Sequence, residues 1–169
     1  MSIRNYIAVL AFTGIFSAAH AGEWTCVGST FTPDESSPAT KVGPTAQTLG
    51  KLQFFSNLTG TIEARCNITN PNDAGANPGW GHLEITHLDP DGMANATQVL
   101  IQLMEVNKAT GVTTVITTYN SNAFNAAILR VHGFNYNWNF VSFAYYVNVQ
   151  ITRQDPALIP WLARVRLFD

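Results

Sequence analysis

The sequence predicts an all-β chain, a single antiparallel β-sandwich of jelly-roll or immunoglobulin-like type with one disulfide. Three observations lead there. Apolar residues recur at every second position in nearly every ordered stretch, and turn-forming clusters separate those stretches. No amphipathic helix longer than two turns can be drawn, which leaves about eight to ten strands to pack on one another.

The first twenty-one residues, MSIRNYIAVLAFTGIFSAAHA, stand apart from this pattern. Arg4 precedes an apolar run, and Ala19-His20-Ala21 has the small-x-small form of a cleavage site, so residues 1–21 read as a secretory signal peptide. The run is shorter than the ~20 residues a bilayer requires, and no other run approaches that length, so no transmembrane segment is expected. The mature chain is then residues 22–169, one domain, secreted to a periplasmic or extracellular space.

Charge narrows the function classes. Nine basic and eleven acidic residues give a net charge of −2, and charged residues make up 12% of the chain. That is about half the usual share. With no basic patch or charge run, the electrostatic footprint of a nucleic-acid binder is missing. Cys26 and Cys66 are the only cysteines, and an even pair in an oxidising compartment is expected to bond. Closing a loop of that length stabilises by ~3–4 kcal/mol in the chain-entropy model.

Taken in order, residues 32–44 (TPDESSPATKVGP) have no hydrophobic period and read as an irregular surface loop or flap. In IEARCNI, Ile62, Ala64, Cys66 and Ile68 share one face, opposite Glu63, Arg65 and Asn67. NPNDAGANPG, residues 70–79, is a polar loop, and DPDG, residues 89–92, a turn. TQVLIQLMEV is apolar on both faces, as a strand flanked on both sides should be, and NKATG after it fits a type I turn with Gly111 left-handed. SNAFNAAILRV, residues 121–131, permits a short helix or a strand. FAYYVNVQI puts Phe143, Tyr145, Val147, Val149 and Ile151 on one face. WLARVRLF sets Trp161, Ala163, Val165 and Leu167 opposite Leu162, Arg164, Arg166 and Phe168.

Candidate chemistry concentrates in two places. GHLEITHLDPDG holds His82, Glu84, His87, Asp89 and Asp91, but strand spacing sends His82 and Glu84 to one face and His87 and Asp89 to the other, so the set does not make a zinc site. Asp89 and Asp91, hard oxygen donors in one turn, are the candidate ligands should calcium bind; no other cofactor is indicated. GFNYNWNF, residues 133–140, alternates rings with asparagines. Phe134, Tyr136, Trp138 and Phe140 form either a core ridge or, through Tyr136 and Trp138, a stacking platform for a ligand. Burial is the expectation, because four exposed rings in a row would invite aggregation. The apolar parity changes from even to odd between Phe140 and Phe143, which requires a bulge or tight turn near Val141 and Ser142.

No serine sits in a G-x-S-x-G elbow, and no pairing among Glu63, Glu84, Glu105 and the aspartates is visible in one dimension. N-x-[ST] sequons occur at Asn57, Asn67 and Asn95, about the number composition alone would give. The reading is a non-catalytic binding module for a glycan or other surface ligand. A self-assembling subunit of a fibre, surface layer or matrix, associating through sheet edges, is the alternative. A small secreted hydrolase is the third.

Overall fold

The computed structural model describes residues 22–35, 37, 50–70 and 76–169. Residues 1–21, read above as a signal peptide, and most of the segment 32–44 lie outside the described residues. Alternation becomes pairing as expected. Among the described residues ten strands form: β1 (Trp24–Val27), β2 (Thr32–Pro33), β3 (Leu52–Gln53), β4 (Gly60–Ile68), β5 (His82–Leu88), β6 (Thr97–Asn107), β7 (Thr113–Asn120), β8 (Leu129–Gly133), β9 (Phe143–Arg153) and β10 (Trp161–Phe168). They make two antiparallel five-stranded sheets. One runs β1-β10-β5-β8, with β3 following β1 along the same edge of β10; the other runs β2-β4-β9-β6-β7.

The inner faces of the two sheets are the core. From the first come Leu83, Ile85, Val165 and Leu167, and from the second Ile62, Val99, Ile101, Val147 and Val149, each at most 2% exposed. Burying a side chain of this size stabilises by about 1.5–3 kcal/mol, so each residue of these rows contributes substantially to holding the sheets together. Cys26 on β1 and Cys66 on β4 are bonded, with Cα atoms 6.7 Å apart, and the bridge ties one sheet to the other. Gly28 lies where β1 gives way to β3: a Cβ there would sit 2.2 Å from the carbonyl oxygen of Leu162. No other residue fits.

Three details depart from simple alternation. The first two residues of the segment read as loop, Thr32 and Pro33, pair with Arg65 and Ala64 on β4. On β10, Leu162 is fully buried although the pattern set it opposite Val165 and Leu167. The register slips between Leu162 and Arg164, so Ala163 is a bulge and the inner parity changes there. Finally, residues 121–131 divide, giving a 3-10 turn at Ser121–Ala123 and then β8. The turns are as read: Gly111 is left-handed (φ 72°), and its amide donates to the carbonyl of Asn107 at 2.8 Å.

One interior group went unread. Arg153, at the end of β9, is 1% exposed and has no ion pair among the described residues. Its guanidinium donates instead to main-chain carbonyls of Ser56 (2.8 Å), Leu58 (3.3 Å), Asp155 (3.2 Å) and Pro156. Residues 55–59 and 154–157 are thereby held by one side chain.

Candidate functional site

The ring segment 134–140 runs out of β8 without strand pairing of its own, yet it keeps the alternation. Asn135, Asn137 and Asn139 face solvent while the rings turn inward. Trp138 is 2% exposed, and its indole N–H donates to the carbonyl of Trp80 at 2.9 Å. Five rings surround it, from Tyr145 at 4.8 Å between centroids to Phe134 at 6.3 Å. Tyr136 is half-buried, and its hydroxyl donates to Glu105. Burial, with the neighbouring Glu105 and Tyr145, pushes that hydroxyl far above its ordinary pKa, so it stays protonated. Both faces of Trp138 are taken up by protein. The parity change after Phe140 is a turn, in which the Asn139 side chain accepts from the amides of Val141 and Ser142 (3.1 Å each).

The acidic turn is engaged with its own chain. Asp89, 1% exposed, accepts from the hydroxyls of Ser121 and Thr97 (2.5 Å each). Asp91 shares the single Thr97 hydroxyl proton with Asp89 and accepts from the amides of Ala96 (2.8 Å) and Thr97 (3.1 Å). Burial raises the Asp89 carboxyl. It acts the same way on Asp91, but the donors of Thr97 and Ala96 outweigh it and hold Asp91 low. A metal ion would have to displace those donors. Among the described residues no group of three or more His, Cys, Asp or Glu is placed to hold one.

The catalytic candidates are dispersed. Glu63 is on the outer face of the second sheet, Glu84 on the outer face of the first, and Glu105 on the inward side of β6. The Ser121 hydroxyl bonds to Asp89 and not to a histidine. His132 bonds to Thr117 at 2.8 Å and His87 to Tyr119 at 3.0 Å.

His87 carries a pH dependence. It is 2% exposed, and burial, aided by the charge of Arg130 and opposed by the Ile85 carbonyl, lowers its pKa from 6.5 to about 4. Its neutral form is favoured by the fold, so this contribution is complete above pH 6.5 and is lost as pH falls toward 4. The loss should be about 3 kcal/mol. Urea midpoints of wild type should therefore fall more steeply across this window than those of His87→Gln. Parallel slopes would exclude His87 as the titrating group.

The outer face of the second sheet was not picked out by any motif. Register alone assembles it. Thr32, Arg65, Asn148, Gln102 and Thr118, one from each strand, lie in a single row across β2, β4, β9, β6 and β7. At about 4.8 Å per strand the row spans roughly 19 Å. Beside it run Glu63, Gln150, Leu100 and Asn120, then Thr61, Thr152 and Gln98; on its other side are Asn67, Tyr146, Met104 and Val115. Neighbours in these rows are joined by Gln150 donating to Glu63 (2.9 Å), Thr61 meeting Thr152 (3.1 Å) and Asn148 donating to Gln102 (3.5 Å). Each amide keeps further donors or lone pairs, and the Oδ1 of Asn148 is buried without a donor. At the β2 end the row meets a cleft of about 540 Å³ lined by Thr32, Pro33, Asp34, Glu35 and Arg65.

On this face the Arg65 guanidinium stands 5.9 Å from the Tyr146 ring centroid. On the first sheet's outer face the rings are covered more closely, Phe168 by His82 (5.2 Å, stacked) and by Arg166 (4.6 Å), and Trp161 by the Lys51 ammonium at 4.0 Å. Glu84 there is held between Arg164 and Arg166.

No protein-family profile matches the chain, and no curated protein matches it. Among solved structures, it is similar to the low-affinity xylan-binding module CBM86 from Roseburia intestinalis, at 10% identity and TM-score 0.41, over 86% of this chain and 94% of that one. It is also similar to the CBM32 module of AlyQ, solved with 4,5-unsaturated mannuronic acid, at 9% identity and TM-score 0.36, over 86% and 93%. The site is defined by this chain's own geometry. No helix among the described residues is long and apolar enough to cross a membrane.

Proposed function

We propose that the protein is a secreted, non-catalytic β-sandwich module that binds a glycan on the outer face of the β2-β4-β9-β6-β7 sheet. The observation that carries this reading is the five-strand row of Thr32, Arg65, Asn148, Gln102 and Thr118. Sugars offer closely spaced hydroxyls that both donate and accept, and primary amides and threonine hydroxyls answer both roles without titrating. Tyr146, half-exposed beside Asn148 and with Arg65 5.9 Å from its ring centroid, adds the ring surface that Arg65 leaves open for the carbon side of a sugar.

Alanine substitution of Asn148 and Gln102 together should abolish retention by immobilised glycan while leaving the denaturation midpoint within about 1 kcal/mol of wild type. Tyr146→Ala should weaken binding without abolishing the fold. Retention undiminished in the Asn148/Gln102 double variant would place the site elsewhere. Protein made in a host that does not glycosylate is the right material, because the Asn67 sequon lies next to Tyr146 in this face.

A second reading, self-association through a sheet edge, rests on β8. This edge strand leaves Leu129 52% and Val131 54% exposed, with Ile128 at 59% just before it. Edge strands with apolar outer residues template further pairing. Sedimentation velocity decides it: a monomer at tens of micromolar removes this reading, and a concentration-dependent dimer abolished by Val131→Lys supports it.

A further inference from the structure

Resting on that reading of the face, we infer that the glycan is an uncharged polysaccharide chain, one without uronic acid or sulfate groups. The outward positions of β2, β4, β9, β6 and β7 contain one cation, Arg65, and one anion, Glu63. Arg65 is already paired, 2.5 Å from the Asp34 carboxylate. The cleft into which the row runs adds Asp34 and Glu35 to its lining, so among the described residues of face and cleft the carboxylates of Asp34, Glu35 and Glu63 outnumber the single guanidinium of Arg65. An anionic group on the ligand would meet these carboxylates at short range with no uncommitted cation among those described residues to receive it, and like charges brought together are an effective device against a wrong partner. Recognition of a carboxylated or sulfated sugar normally draws on arginine forks that bind two oxygens at once. Here the one fork on the face is turned to a carboxylate of its own chain. What remains is neutral hydrogen-bonding capacity spread over roughly 19 Å, the length of several sugar units and not of one.

Affinity electrophoresis of the wild-type chain from residue 22 onward, in gels containing neutral or acidic polymers, tests this. The neutral probes are β-glucan, galactomannan and arabinoxylan; the acidic ones are polygalacturonate and heparin. At least one neutral polymer should retard the protein, at least about tenfold more strongly than either acidic polymer. Its retardation should change by less than about twofold between 0.02 and 0.5 M salt, since exposed ion pairs, and not neutral contacts, are screened over that range. Stronger retardation by polygalacturonate or heparin, or binding lost at high salt, overturns the inference but leaves a glycan-binding module standing. No retardation by any of the five overturns both.

Discussion

Replacing Trp138 by alanine should destabilise the protein by about 3–5 kcal/mol, measured as a shift of the urea or guanidinium midpoint. The ring is 2% exposed and packs against Trp80, Tyr136, Phe140 and Tyr145 at centroid distances of 4.8–5.9 Å. Its removal would empty the middle of that cluster and leave the Trp80 carbonyl without its donor. Both losses act in the folded state. Trp138→Phe should recover much of the packing but not the hydrogen bond, and so fall between the two. A Trp138→Ala protein with an unchanged midpoint would mean that the ring is a surface platform after all.

The second large effect should come from Arg153→Met, a side chain of comparable reach without donors. Four main-chain carbonyls lose their charged donor at once, and a hydrogen bond to a charged group is worth about 1.5–3 kcal/mol. A loss of about 3–5 kcal/mol is expected, less than the sum of the four because carbonyls in exposed loops regain water. Arg153→Lys should rescue little, because a compact ammonium cannot serve carbonyls spread around a planar fork. The damage has an address: amide hydrogen exchange should quicken in residues 55–59 and 154–157 before it does in β4 or β9. If Arg153→Met keeps the wild-type midpoint, those carbonyls find water instead.

Much of this fold is legible in one dimension because a sheet with one dry face must alternate. Ile62, Ala64 and Ile68 on β4, and Tyr145, Val147, Val149 and Ile151 on β9, are buried where the period of two puts them. The change of parity after Phe140 likewise announces the turn that follows it. The bulge at Ala163 is silent, because Trp161 and Leu162 are both apolar and either could face inward. Arg153 was half-visible. The odd-numbered face of β9, carried one step past Ile151, ends on it, but chemistry argues that a guanidinium should be outside, and only the carbonyls of two distant loops reverse that argument. The polar row is the harder case. Alternation shows that Arg65 and Asn148 are on wet faces, but β6 reads as apolar on both faces and does not single out Gln102, and nothing in one dimension shows that strands separated by dozens of residues become neighbours in that alignment. A site made by register has no motif.

The bridge between Cys26 and Cys66 has a mechanical consequence. Tension applied near residue 22 enters the fold at β1, a strand held to β10 by only Trp24, Thr25, Cys26 and Val27. At Cys26 that load crosses the covalent bridge into β4, whose nine residues Gly60–Ile68 are paired with β9 along their full length. The intervening chain, a sequence separation of 40, is bypassed, and roughly 130–140 Å of slack cannot be drawn out while the bond is intact. Pulled from that end, the molecule resists through the nine pairs of the β4–β9 ladder and not through the four pairs of β1 alone. Under reducing conditions the same pull would peel β1 away first, one residue pair at a time.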